Sequence, residues 1–229
     1  MLRENGPPEE AFDPPRFKVT GKVYKSGPGI WRRFAMVSGL WTREDARKMY
    51  VPAKLFFTRG VGKHREKLAS FEMALRAAGI AQFNLVRVSS IYPPGCKIIT
   101  RERGLDELSA GQIVHVVLAE SATNEPRRLL ASSIGVAIPK DSKQFGYLSE
   151  VHDYGMTEKK AADYAEDLAA QMFATVCGLE FDPDKSWDER KEIWRISGKF
   201  LMTRNITQTA LGDKDGLWTT AIAAVVLLP

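Results

Sequence analysis

The chain is poor in the residues that build metal centres and disulfide scaffolds. It has two cysteines, Cys96 and Cys177, in no C-x-x-C pair. Neither a zinc site nor a disulfide framework is expected, and a reducing compartment is the natural setting. Three histidines, His64, His115 and His152, stand at no metal-ligand spacing and read as structural or surface residues. No apolar run is long enough to span a bilayer. The most apolar stretch, Ala221 to Leu228, falls far short of a membrane helix. Met1 to Pro15 carries acids and prolines without an apolar run, so no secretory signal is expected. The formal charge of +5 is scattered rather than blocked and has no aromatic stacking motif beside it. That favours a solvated surface over nucleic-acid binding. The expectation is a cytoplasmic protein with neither membrane nor nucleic acid as partner.

What is present is ordinary globular composition. With 229 residues, 44% of them hydrophobic and 27% charged, the chain can bury a real core in one domain. Pro7-Pro8, Pro14-Pro15 and Gly27-Pro28-Gly29 interrupt any periodicity in the first fifty residues. Residues 1–50 therefore read as an N-terminal extension, partly flexible, and residues 51–229 as the working domain. Pro52 to Thr58 reads as a strand, and Lys63 to Ala78 as a helix closed by Gly79. Phe83 to Tyr92 reads as one strong strand stopped by Pro93-Pro94-Gly95. Gln112 to Ala119, Leu129 to Ile138 and a short Tyr147 to Val151 follow as strands. Thr157 to Cys177 is the longest helix, with Thr157 as N-cap and Gly178 after its end. Glu192 to Thr203 and Leu217 to Leu228 read as closing strands joined across Gly212 to Gly216. The class is α+β, a layered α/β/β/α sandwich of largely antiparallel sheets.

Three features bear on chemistry. Ser89-Ser90 ends a strand core and abuts the proline pair. A serine hydroxyl held in a strained turn can attack the carbonyl of the residue before it. The ester can then eliminate to dehydroalanine, which hydrolyses to a pyruvoyl group. About one Ser-Ser pair is expected by chance in a chain of this length, and Ser132-Ser133 is another, so the pair alone says little. Glu72 sits at i+4 from Leu68, on the side of the apolar stripe Leu68, Phe71, Leu75 and Ala78. It either reaches a cation or lies at the edge of the stripe, and Arg76 is an ordinary helical ion-pair partner four residues on. Glu150 follows the apolar Gly146-Tyr147-Leu148; it is either a proton donor of raised pKa or a solvated loop-edge acid.

Together these blocks resemble the pyruvoyl-dependent arginine decarboxylases. The likeness runs through Phe71-Glu72-Met73-Ala74-Leu75, Ala78-Gly79-Ile80 and Phe83 to Pro94. It continues in order through Ser133 to Asp141, Gly146 to Glu150 and Gly212 to Thr220. The resemblance implies cleavage between Ser89 and Ser90, giving a β chain 1–89 and an α chain 90–229 that starts with a pyruvoyl group made from Ser90. It implies a role for Asn84 in self-processing, Glu150 as proton donor, and Glu72 as the substrate-binding acid where archaeal members carry aspartate. The implied reaction converts arginine to agmatine and carbon dioxide through a Schiff base on the pyruvoyl group, with no metal. It also implies a homotrimer of αβ protomers or a dimer of trimers. In an extended strand Asn84 and Ser90 lie about 20 Å apart. Glu72 and Asn84 of one protomer are therefore expected to face Ser90 and Glu150 of the next. Three readings stay open beside this one: a pyruvoyl enzyme for another amino acid such as histidine, an unprocessed regulatory homologue, and a basic binding module, for RNA for example.

Overall fold

The computed structural model describes residues 51–179 and 201–229. The N-terminal extension and the first part of the strand expected over Glu192 to Thr203 lie outside them. In chain order the elements are β1 (Lys54–His64), α1 (Lys67–Ala78), β2 (Asn84–Arg87), β3 (Ile91–Tyr92), β4 (Lys97–Ile98) and α2 (Arg101–Asp106). They continue with β5 (Ile113–Thr123), β6 (Leu129–Pro139), β7 (Gly146–Tyr154), α3 (Glu158–Val176), β8 (Leu201–Leu211) and β9 (Trp218–Leu228). One sheet has the order β2-β5-β9-β1-β4 and the other β3-β7-β6-β8. The pairings are antiparallel except β1–β4 and β2–β5.

β9 shows why both sheets exist. It pairs along its whole length with β1, Lys54 opposite Leu228 through His64 opposite Trp218, and on its other side with β5. Its even residues Ile222, Ala224, Val226 and Leu228 pack with Phe56, Ala74, Ala78 and Ile80, the α1 side. Its odd residues Ala223, Val225 and Leu227 meet Ile134, Val136 and Leu148 of the second sheet. A strand buried on both faces reads as a continuous apolar run, which Ala221 to Leu228 is. On the far side α3 covers the second sheet with Ala169, Ala170 and Phe173. The layers are α/β/β/α.

Helices α1 and α3 lie close upon their sheets through small residues, Gly60 and Gly62 beneath α1 and Gly135 beneath α3. A Cβ at Gly60 would meet the Ala74 carbonyl oxygen at 2.2 Å, and one at Gly62 would meet that of Ser70 at 2.1 Å. The buried face of α1 is accordingly Ser70, Ala74 and Ala78. The stripe expected from Leu68, Phe71, Leu75 and Ala78 is corrected: Leu68 is 78% exposed, while Phe71 and Leu75 pack at the margin of the core. Close backbone approach selects small side chains over large ones here. The helix starts later than expected because the β1–β9 ladder claims the chain as far as His64. Its end is as expected: Gly79 is left-handed (φ 78°), and the Gly79 and Ile80 amides close onto the Arg76 and Leu75 carbonyls. Thr157 caps α3 by accepting from the Lys160 amide.

The largest difference concerns Phe83 to Tyr92. It is two strands in two sheets. β2 runs parallel to β5, with Asn84 opposite Ile113 and Arg87 opposite Val116, and the Val88 amide extends the ladder to the Val116 carbonyl (3.0 Å). β3 then pairs antiparallel with β7, Ile91 opposite Tyr147. The chain changes sheets at Ser89-Ser90. The closing strand is also later than read, at Leu201–Leu211, and β8 and β9 belong to different sheets. β4 and α2 were not expected from the sequence. Among the described residues, no helix is long and apolar enough to cross a membrane.

Candidate active site

The change of sheet puts the serine pair in a turn. The Ile91 amide donates to the Ser89 carbonyl oxygen at 3.0 Å, enclosing Ser90 in a three-residue turn. Ser90 has no positive φ. The Leu148 amide of β7 donates to the Ser90 carbonyl oxygen at 2.9 Å. Both carbonyls flanking the Ser90 backbone nitrogen and α-carbon thus have backbone donors. The Ser90 hydroxyl donates to Glu150 Oε1 at 2.9 Å. This meeting follows from register. Ile134, directly opposite Glu150 on β6, packs between the sheets. Leu148 packs there too, two residues before Glu150 on the same face of β7. Ser90, across the β3–β7 edge, reaches Glu150 diagonally. Sixty residues separate the two in sequence.

Downstream, Tyr92 fixes the turn. Its hydroxyl donates to the Cys96 carbonyl at 2.6 Å, and the Cys96 amide donates to the Pro93 carbonyl. Burial pushes the Tyr92 hydroxyl up to about 12, reinforced by Cys96 and opposed by Arg204. Burial also pushes the Cys96 thiol up to about 11, against a lowering contact from the Lys97 amide. Upstream, Arg87 pairs with Glu120 at 2.6 Å, and His152 Nδ1 lies 2.9 Å from the Glu120 carbonyl oxygen. Beside the turn is an apolar hollow of about 400 Å³ lined by Val51, Pro52, Val88, Ile91, Pro93 and Pro94, with His115 at its wall.

Glu72 and Asn84 are elsewhere. Glu72 lies two residues after Ser70 and so about opposite the buried face of α1, not on it as expected. It accepts from Arg76 Nε at 2.5 Å and is 43% exposed. Glu72, Arg76, Gly79, Ala81 and Gln82 line an open concavity of about 520 Å³. Asn84 is exposed and donates to the Gly111 carbonyl at 2.7 Å. Neither residue hydrogen-bonds to Ser89, Ser90 or Glu150 among the described residues. The fold therefore brings Ser89, Ser90 and Glu150 together and leaves Glu72 and Asn84 outside that group, each on a partner of its own. No cluster of three metal-ligating side chains occurs among the described residues.

Sequence reasoning missed the Ile91 and Leu148 amides, which carry no side-chain signal, and the Arg87–Glu120 pair, which joins residues 33 positions apart. It also gave no reason to bring His115 near the serine pair.

Comparison with known proteins gives a consistent picture. A family model described as pyruvoyl-dependent arginine decarboxylase matches residues 54–229. A protein of Chloroherpeton thalassium named "Probable pyruvoyl-dependent arginine decarboxylase" is 60% identical over 180 residues, covering 79% of this chain and 99% of that protein. A "Pyruvoyl-dependent arginine decarboxylase" of Nitrosopumilus maritimus is 54% identical over 178 residues, 78% of this chain and 97% of its own. The "Pyruvoyl-dependent arginine decarboxylase 2" of Methanosarcina mazei is 53% identical over the same lengths.

Proposed function

Because the chain belongs to the pyruvoyl-dependent arginine decarboxylase family, we propose that it cleaves itself at Ser89-Ser90 and decarboxylates arginine to agmatine. The observation that carries the reading is the Ser90 turn, with its preceding carbonyl held by the Ile91 amide and its hydroxyl directed at Glu150.

In the processing step the Ser90 oxygen adds to the Ser89 carbonyl carbon and the Ser90 nitrogen leaves, so the proton moves from oxygen to nitrogen. The ester then loses the Ser90 α-proton and releases Ser89 as a new carboxylate that keeps the former hydroxyl oxygen. The residual dehydroalanine takes up water and gives off ammonia, for a net consumption of one water. Its products are the β chain 1–89, with the N-terminal extension 1–50, and the α chain 90–229. The Ile91 amide polarises the attacked carbonyl.

The Ser90 site suits a serine-derived group. The Leu148 amide already holds the Ser90 carbonyl, and conversion removes the hydroxyl that Glu150 accepts, freeing that carboxyl to face a substrate. The pyruvoyl group supplies a ketone for the substrate α-amine and an adjacent carbonyl that takes up electron density as carbon dioxide leaves. Glu150 delivers the proton that replaces the lost carboxyl. Glu72 receives the guanidinium, in the paired geometry that carboxylates and arginine favour.

The two groups are completed by a second copy. Glu72 and Asn84 of one protomer face Ser90 and Glu150 of the next in a trimeric ring, with a dimer of trimers as the larger form. The apolar hollow beside the turn, with Ile91 exposed at it, supports this, because apolar surface of that kind calls for cover. The reaction is read as cytoplasmic, in keeping with a sequence that holds only two cysteines.

The test is product formation from arginine and, separately, from histidine. Agmatine from the first with no histamine from the second is expected. Histamine as the main product would move the assignment to the other amino acid.

A further inference from the structure

We propose that Arg76 occupies, in the substrate-free enzyme, the carboxylate that the substrate's guanidinium must take, and so sets the affinity for arginine. This rests on the reading of Glu72 as guanidinium acceptor.

Arg76 lies one helical turn after Glu72 on α1, and its Nε donates to Glu72 Oε1 at 2.5 Å. Glu followed by a cation at i+4 is the favoured orientation of such a pair. The contact is single and side-on, so it engages one carboxylate oxygen. An incoming guanidinium binds best as a fork across both oxygens. With Oε1 taken, that fork cannot form, and two guanidinium cations crowd one anion.

The displacement is easy. Arg76 is 72% exposed, and its side chain has no other ion-pair or hydrogen-bond partner among the described residues. The concavity around it offers Gly79, Ala81 and Gln82, none of them a second anion to hold Arg76 in place. Arg76 is thus an internal rival of the substrate, tethered beside the group both require. A substrate cation binds at the net difference between its own pairing and that of Arg76.

The experiment measures KM and kcat for arginine on the self-processed full chain. It compares the wild type, Arg76→Gln, Glu72→Gln and the double variant at low and high ionic strength. An exposed i,i+4 pair of this kind corresponds to about a twofold fall in KM for Arg76→Gln. The gain is expected in KM rather than kcat, shrinks as salt screens the charges, and is absent when Glu72 is already Gln. A raised KM in Glu72→Gln with an unchanged or raised KM in Arg76→Gln overturns the rivalry and leaves the guanidinium reading standing. An unchanged KM in Glu72→Gln removes the guanidinium reading itself, and the rivalry with it.

Discussion

Ser90 and Glu150 hold each other across the edge of a sheet, whereas Glu72 and Asn84 are held only by neighbours on their own side of the fold. The first group is a product of long-range assembly. β3 must leave the sheet of β2 and join β7 before the hydroxyl meets the carboxyl. Glu72 needs only one helix turn, to Arg76, and Asn84 needs the β2–β5 pairing that brings the Gly111 carbonyl beside it. A group satisfied internally can carry out an intramolecular reaction within one chain. A pair of outward-facing groups waits for something to face. The bond-breaking of self-cleavage should therefore depend first on the inner group, with Asn84 of a neighbouring copy assisting it, and substrate turnover on Glu150 and Glu72.

Ser90→Ala gives the largest expected effect on this contrast. It removes the attacking oxygen, so the chain should run as one uncut band on a denaturing gel and form no agmatine. Next comes Glu150→Gln. Loss of a positioned proton donor costs about 10²- to 10⁴-fold, to be read in kcat on protein whose folding is checked by circular dichroism.

The division between copies is sharpened by mixing. Chains carrying Glu72→Gln and chains carrying Glu150→Gln, each impaired alone, are co-expressed. If each site draws one group from either neighbour, random assembly into rings restores about a quarter of the sites. No regain over the separate variants would mean that one chain supplies both groups.

Smaller effects concern the scaffold. Gly62→Ala drives a Cβ into the Ser70 carbonyl, and overpacking of this sort costs about 1–3 kcal/mol, visible as a lower Tm. The least is alkaline. Tyr92 and Cys96 both have pKa values raised by burial, from ordinary values near 10 and 9 to about 12 and 11. The neutral forms fit the fold, so the stability they contribute is complete below about pH 9 and lost as pH rises through 11 to 12. Thermal unfolding at pH 8 and pH 11 checks this, and Tyr92→Phe combined with Cys96→Ser should flatten the dependence.

The parts of the fold legible in the sequence were those fixed locally. Gly79 and Thr157 announced helix ends because caps are set by a few adjacent residues. Ala221 to Leu228 announced a buried strand because both its faces are apolar. Phe83 to Tyr92 misled because its β propensity continues unbroken through Ser89-Ser90, while the partner strands that divide it lie more than twenty residues away. β8 was misplaced for a related reason. Its Asn205 and Thr207 bond to Glu166 and Ser133, so hydrophobic periodicity does not mark the covered face. The site was legible mainly as a resemblance. Ser89-Ser90, Glu72 and Glu150 were weak signals one by one, and nothing local to Glu150 announced that Ser90 would reach it.

The most direct test of self-cleavage is intact-protein mass spectrometry of freshly purified wild type, before and after treatment with a carbonyl-reactive amine. The account predicts two chains divided between positions 89 and 90, with the α chain alone gaining the mass of the amine. A single chain of uncut mass that stays whole on incubation and takes up no amine would contradict it.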